Sequence, residues 1–275
     1  ALPVFKLDRN QIFLKQDSIA VKPNKNYVGR IVYKTKGSFK EVSIGLEALN
    51  SKNTVGFSIP ESEAFITKEF ELHTGENSGS LASLEISFEG NGTVTLAAIS
   101  LMPEDNIEGF RSDVIALLKE LDSPIYRWPG GNFVSGYDWK DGIGNPDARP
   151  TRYERAWNGL EYNDVGIHEF MQLCKILNAE ANIAVKTGLG DAELAANEVE
   201  YFNGAATTPM GKRRAANGHP EAYDVQLWAV GNEMFGDWQL GHMPIEEYVK
   251  KHNKVAEAMW AVDPDIDLIA VGYPG

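Results

Sequence analysis

The feature that most constrains this chain is a change of apolar period near residue 105. Up to about residue 103, apolar residues alternate at a spacing of two in short runs: Val42, Ile44 and Leu46; Leu84, Ile86 and Phe88; Val94 and Leu96. That spacing puts each run on one face of a strand. Turn-forming stretches separate the runs, among them Pro23-Asn24-Lys25-Asn26, Thr74-Gly75-Glu76-Asn77 and Glu89-Gly90-Asn91-Gly92. Short strands at this spacing predict a β-sandwich without a long helix.

From about 106 onward, strands and helices alternate. Phe110, Val114, Leu117, Leu118 and Leu121 recur at helical spacing. Strand-like segments lie near 125, 184, 228 and 269. Helices are predicted over about 165–177, capped by Asp164, over 191–201, and from Pro244 onward. The stretch between 201 and 225 reads as a polar loop. Alternation of this kind is the signature of parallel βα units. A (β/α)8 barrel and an open doubly wound sheet both satisfy it. The second would want a glycine-rich phosphate loop after a strand, and neither GxGxxG nor GxxxxGK[ST] occurs. The expected fold is therefore multidomain, mixed α and β. A β-sandwich resembling a carbohydrate-binding module (1–103) precedes part of a (β/α)8 TIM barrel (104–275), about strands 2–5.

Charge and aromatic content narrow the partner. The net charge of −13 should repel phosphate backbones and anionic lipid, so neither nucleic acid nor membrane is an expected partner. No apolar run approaches the roughly 20 residues of a membrane span. A neutral glycan fits better. Sugar C–H faces stack on aromatic planes, and all six tryptophans (128, 139, 157, 228, 238, 260) lie in the second half. The first half has only Tyr27 and Tyr33 to offer, so a structural role is expected of it before ligand capture. The single cysteine, Cys174, falls on the apolar stripe of Ile167, Phe170, Met171 and Leu177 and reads as core. The five histidines show no metal-ligand spacing, so no metal and no cofactor are expected.

The segment that carries chemistry is Trp228-Ala229-Val230-Gly231-Asn232-Glu233, an apolar strand running into an Asn-Glu pair. Glycoside hydrolysis needs a carboxylic acid aimed at the leaving oxygen. A strand end at a barrel mouth can aim it, and partial burial would keep it protonated. The neighbouring Asn232 can hydrogen-bond a sugar hydroxyl. A surface glutamate at a strand end is the bland alternative for Glu233. A turn residue after two glycines is the bland alternative for Asn132, and packing under a loop that for Trp157.

The longer segment 228–242, Trp-Ala-Val-Gly-Asn-Glu-Met-Phe-Gly-Asp-Trp-Gln-Leu-Gly-His, resembles the acid/base segment of family 51 α-L-arabinofuranosidases. Segment 126–137, Tyr-Arg-Trp-Pro-Gly-Gly-Asn-Phe-Val-Ser-Gly-Tyr, resembles that family's stretch after its second barrel strand. Arg149-Pro150, Asn163-Asp164-Val165-Gly166 and Val262-Asp263-Pro264 extend the similarity, which runs nearly continuously over 106–275 and more weakly before it. The resemblance implies a retaining exo-acting enzyme that releases arabinofuranosyl side groups from arabinoxylan or arabinan. It implies Glu233 as general acid/base, Asn232 on the sugar 2-hydroxyl, Asn132 as a second sugar-binding asparagine, and Trp157 lining the arabinose pocket. Lys186 departs from the pattern, since the family commonly has Asn there. A β-glycanase on the same barrel and a non-catalytic glycan-binding protein are the competing readings. The family takes its nucleophile from a seventh strand. The expectation is that the nucleophile and the rest of the barrel come from outside these 275 residues, in the same polypeptide or a companion chain, and that this segment alone is inactive.

Overall fold

The alternating residues of the first hundred positions form six strands: β1 (Val4–Leu7), β2 (Gln11–Ala20), β3 (Asn26–Ala48), β4 (Ser51–Ser58), β5 (Ser62–His73) and β6 (Leu81–Pro103). They are seen in a computed structural model that describes residues 4–7 and 11–273. The chain divides into two compact units, Ala1–Ala116 and Leu117–Gly275.

In the first unit β3 and β6 pair antiparallel along their whole lengths, from Tyr27 opposite Pro103 to Ala48 opposite Ala82. Strands β5 and β1 extend one half of this ribbon, and β4 and β2 extend the other. One cluster of buried residues draws on both halves. Ile31, Tyr33, Phe70 and Leu72 meet Val42, Ile44, Leu46, Leu84, Ile86 and Phe88. The sandwich is therefore one hydrogen-bonded sheet creased over a single core. The predicted alternation is visible in the register, with Val42 opposite Phe88, Ile44 opposite Ile86 and Leu46 opposite Leu84.

The crease corrects one expectation. The stretch 89–92 does not reverse the chain, because β6 runs straight through it opposite residues 37–41 of β3. Gly92 sits opposite Gly37, both with positive φ (143° and 115°), and a Cβ on Gly92 would overlap the Lys36 carbonyl oxygen. Glycine here bends a strand pair instead of turning a hairpin. The other two predicted turns do form and hold each other, with the Asn24 amide donating to the Gly75 carbonyl and the Thr74 hydroxyl to the Lys22 carbonyl.

Helix α1 (Ser112–Leu121) spans the division. The apolar face expected of it is not its buried one: Val114, Leu117 and Leu121 are exposed and Ile115 is buried. Strand β7 (Ile125–Trp128) and short helix α2 (Gly131–Gly136) follow, then a hairpin of β8 (Arg152–Glu154) and β9 (Gly159–Glu161). The rest is α3 (Ile167–Leu177), β10 (Glu180–Ala184), α4 (Ala192–Asn203), α5 (Pro209–Ala216), β11 (Leu227–Ala229), α6 (Ile245–Val262) and β12 (Asp267–Ile269). Strands β7, β10, β11 and β12 pair in that order, all parallel. Among these four strands spatial order follows chain order, as in a (β/α)8 barrel, without the reversal that defines a doubly wound sheet. The core joins Ile183 and Trp228 of the sheet to Phe170, Cys174, Val199, Phe202 and Met259 of the helices. Burial pushes the Cys174 thiol up to about 11, which makes it an inert core residue.

Two local expectations are corrected. Helix α3 starts after Gly166, whose amide donates to the Glu169 carboxylate at 2.8 Å, so Asp164 is not its cap. Arg149 grips the same carboxylate with two 2.9 Å bonds and also holds the Gly144 and Asn163 carbonyls, closing the long loop after α2. The polar stretch after α4 contains α5, capped by Thr208 with Pro209 in its first turn. Its buried side chain is that of Arg214, whose guanidinium takes the carbonyls of Tyr201, Phe202, His219 and Pro220.

Candidate active site

The C-terminal ends of β7 and β11 lie two strands apart in one parallel sheet, and the segments that leave them meet. After β11 the chain makes a tight turn, with the Gly231 amide donating to the Ala229 carbonyl at 2.9 Å. Gly231 has φ 91°, and a Cβ there would overlap the Thr187 hydroxyl, so glycine is required twice over. Glu233 is itself left-handed, at φ 43°. A non-glycine residue in that region is unusual and clusters at functional sites.

Asn232 is buried and engaged at both ends. Its Oδ1 accepts from Arg127 Nη2 at 3.2 Å, and its Nδ2 donates to Gln239 Oε1 at 3.3 Å. Gln239 in turn donates to the Ser135 hydroxyl at 2.6 Å. Arg127, on β7, also donates to the Gly231 carbonyl at 3.3 Å. Burial lowers the Arg127 pKa and the nearby Glu233 carboxylate opposes that shift, so a cation stands beside the candidate acid.

Within these residues Glu233 is exposed. The left-handed turn lifts its side chain off the strand end. Trp238 Nε1 donates to its Oε2 at 3.1 Å. Asn132, on α2, donates from Nδ2 to the Trp238 carbonyl and accepts from the Leu240 amide, both at 2.8 Å. Its amide therefore holds the loop that follows Glu233. Trp157 sits at the tip of the β8–β9 hairpin, where Glu154 accepts from the Ala156 and Trp157 amides. Its indole is 71% exposed, so it is not packed under a loop, and a Cβ on Gly131 would lie 3.8 Å from it. Glu233, Asn232, Asn132 and Trp157 are thus gathered along one rim, with Asn232 and Asn132 joined through residues 238–240.

Sequence reasoning did not single out Arg127, Ser135, Trp238 or Gln239. Arg127 stood inside a quoted motif, one residue before Trp128, but nothing local says that it reaches Asn232. Lys186, the departure from the family pattern, lines a cavity of about 360 Å³ with Tyr137, Asp138 and Arg155. It acts on Glu198, a fully buried carboxyl that burial and Asp138 hold well above the usual carboxylate range and Lys186 pulls down.

The family model of the "Alpha-L-arabinofuranosidase 1 domain" matches residues 117–274. An intracellular exo-α-(1→5)-L-arabinofuranosidase of Bacillus subtilis is 44% identical over 170 residues, 62% of this chain and 34% of that protein. One from Acetivibrio thermocellus is 45% identical over 165 residues, 60% of this chain and 33% of that protein. This chain spans about a third of the length of these relatives. The crystal structure of an α-L-arabinofuranosidase from Thermotoga maritima in complex with arabinose shares 44% identity and a TM-score of 0.59, over 61% of this chain and 35% of that one. The arabinose-bound MgGH51 α-L-arabinofuranosidase is only 20% identical but has a TM-score of 0.80 over 95% of this chain and 46% of that one, a likeness of fold.

Proposed function

The chain belongs to the family 51 α-L-arabinofuranosidases, and from that premise we propose that it is the sandwich and the second to fifth barrel strands of a retaining exo-glycosidase. Its substrate is an arabinose-bearing glycan of the arabinan or arabinoxylan type, from which it releases α-L-arabinofuranosyl side groups. The observation that carries the reading is the Asn232–Glu233 pair at the end of β11. It couples a carboxylate open to a ligand with a buried asparagine held in place by Arg127 and Gln239. Glu233 is the general acid/base. Asn232, Asn132 and Trp157 bind the pentose, the asparagines through hydroxyls and the indole through a C–H face.

A retaining mechanism needs a second carboxylate about 5–5.5 Å from the first. The neighbouring carboxylates of this chain are engaged elsewhere. Asp141 is paired to Arg152, Glu154 holds two amides, Glu161 holds the Asn163 amide and Asp138 the Lys140 amide. Asp237 lies on the same turn as Glu233 and not on a facing strand. As membership of the family implies, we propose that the nucleophile comes from a further barrel strand outside these 275 residues. The edge strands β7 and β12, and the exposed apolar face of α1, support packing against such strands. The 1–103 sandwich is proposed as a structural domain.

The test is Glu233→Gln in the full-length protein. Turnover of an alkyl arabinofuranoside, whose leaving group needs a proton, should fall roughly 10²–10⁴-fold, with a much smaller loss on an activated aryl arabinofuranoside. Equal losses would remove the acid/base assignment. Preference for an aryl β-xyloside or β-glucoside over the arabinofuranoside would favour a β-glycanase.

A further inference from the structure

The loop that leaves Glu233 brings an indole back onto its carboxylate, and we infer that Trp238 is a positioning residue that fixes which carboxyl oxygen carries the catalytic proton. The inference rests on the acid/base reading of Glu233. An indole N–H can donate and cannot accept. The oxygen it touches, Oε2 at 3.1 Å, is therefore held as an acceptor in every protonation state. The carbonyl oxygen of a carboxylic acid is a better acceptor than its O–H oxygen, so this bond favours the acid form with its proton on Oε1. Among the described residues the Glu233 carboxylate has no other hydrogen-bond partner. An exposed glutamate with no such partner would sample several rotamers.

The indole is itself held. The Gly236 amide donates to the Glu233 carbonyl at 2.8 Å and the Gln239 amide to the Gly236 carbonyl at 3.1 Å, so two successive turns return residue 238 over residue 233. The ring lies against Gly236, where a Cβ would overlap it. Phe235 meets it edge-on, with centroids 6.0 Å apart and planes at 86°. Asn132 grips the backbone at Trp238 and Leu240, and buried Gln239 between them is tied to Ser135 and Asn232. Trp238 is 58% exposed.

One geometry then serves both halves of a double displacement. In the first, the nucleophile carboxylate bonds to the sugar carbon as the glycosidic C–O bond breaks, and the departing oxygen, which keeps that bond's electron pair, takes the Oε1 proton. The resulting carboxylate keeps its bond from the indole on Oε2. In the second, Oε1 accepts a proton from the water whose oxygen bonds to the sugar carbon, as the bond from that carbon to the nucleophile carboxylate breaks. Without the indole either oxygen could be protonated, and half of the acid form would aim its proton away from the leaving group.

The test uses Trp238→Phe, which keeps an aromatic plane and removes the donor, and Trp238→His, which restores an N–H, both in the full-length protein. Loss of the donor should lower kcat/KM about tenfold or more on an alkyl arabinofuranoside and only a fewfold on 4-nitrophenyl arabinofuranoside, because only the first needs the proton. A donor on a carboxylate favours its charged form. The alkaline limb of the kcat/KM profile should therefore move to higher pH in Trp238→Phe and part of the way back in Trp238→His. Equal losses on both substrates with an unmoved limb would overturn the inference and leave Trp238 a packing or stacking residue. If Trp238→Phe does not fold, the same two readouts are taken on Trp238→His against the parent. Glu233→Ala, assayed with azide on the aryl substrate, separates the premise from the inference. Rescue by azide supports the acid/base reading whatever Trp238 does, and failure of rescue overturns that reading and the inference with it.

Discussion

The two units spend their polar groups differently. In the creased sheet the buried polar side chains are small hydroxyls, Thr35, Thr74, Ser78 and Ser87, and the charges stay outside in lysine–carboxylate pairs such as Lys15–Asp17, Lys40–Glu89 and Lys52–Glu47. In the parallel unit the buried set among the described residues is Ser135, Asn163, His168, Thr187, Glu198, Arg214, Asn232 and Gln239, and its ion pairs include Arg149–Glu169 and Arg152–Asp141. Arginine's planar fork keeps several hydrogen bonds in one geometry, which an ammonium does not. The first unit is held by apolar burial and register. The second adds a polar scaffold, part of which surrounds Glu233. Chemistry needs side chains fixed by hydrogen bonds, and among the described residues the larger buried polar side chains that can supply them lie in the second unit.

The contrast breaks most sharply at Arg214. It satisfies four carbonyls, those of Tyr201, Phe202, His219 and Pro220. Arg214→Ala strands them in a buried site, and a loss of about 3–5 kcal/mol is expected, measured by urea unfolding. A loss below about 1 kcal/mol would mean that the buried polar scaffold contributes little and that the two units are alike.

Next in size is a pH effect confined to the second unit. His168 Nε2 lies 2.8 Å from the Tyr201 hydroxyl and Nδ1 2.6 Å from that of Tyr223, while Asn217 donates to Tyr201. The consistent arrangement has Asn217 donating to Tyr201, Tyr201 to Nε2, and Nδ1–H to Tyr223. A second ring proton would face the Tyr201 proton, and His219 stacks against the ring at 3.8 Å. Burial and then His219 push His168 down to about 4, against an ordinary value near 6.5. Between these values the unfolded chain binds a proton that the folded chain does not. Stability is thus full above about pH 6.5 and declines as pH falls toward about 4, by roughly 3 kcal/mol. Unfolding midpoints of the parent and His168→Gln across that range should converge as the pH drops. A parallel decline in both would remove His168 as the cause.

What was legible in the sequence divides along the same line. Alternation marks apolar burial, so the burial of Val42, Ile44 and Leu46 and of Leu84, Ile86 and Phe88 could be anticipated, though not their pairing, as could four strands separated by helices. The Asn232–Glu233 pair was legible because an apolar strand ended on it. The crease was not, since glycine next to Asn91 signals a turn as readily as a bend, and only the partner strand decides. Helix α5 was hidden because its buried side chain is a guanidinium inside Lys212-Arg213-Arg214. The reach of Arg127 to Asn232, and the two grips of Asn132, join residues more than a hundred positions apart, and no local pattern encodes them.

A smaller effect belongs to the crease itself. Gly92→Ala forces a Cβ against the Lys36 carbonyl at φ 143°, and a loss of roughly 1–3 kcal/mol is expected. Since the sandwich is proposed as a structural domain, kcat of the full-length protein on an aryl arabinofuranoside should be unchanged below the melting range. A changed kcat would show that the sandwich takes part in the chemistry, against the structural role proposed for it.

The smallest effect is expected where the ion pairs look most plentiful. Lys40 reaches Glu89 at 2.6 Å and Lys52 reaches Glu47 at 3.3 Å, but the four side chains are about half exposed or more. Each pair must immobilise two long, solvated side chains, and water screens what attraction is gained. The Arg149–Glu169 pair differs: the arginine side chain is 1% exposed, the contact is bidentate, and the two terminal nitrogens that make it also hold two carbonyls. Lys40→Ala combined with Lys52→Ala should leave the thermal midpoint unchanged within the reproducibility of the measurement, at low and high salt alike. Arg149→Lys, which keeps the charge and loses the fork, should lower it clearly. A double lysine variant that melts earlier than Arg149→Lys would reverse the comparison, and the creased sheet would then be the unit that depends on its charges.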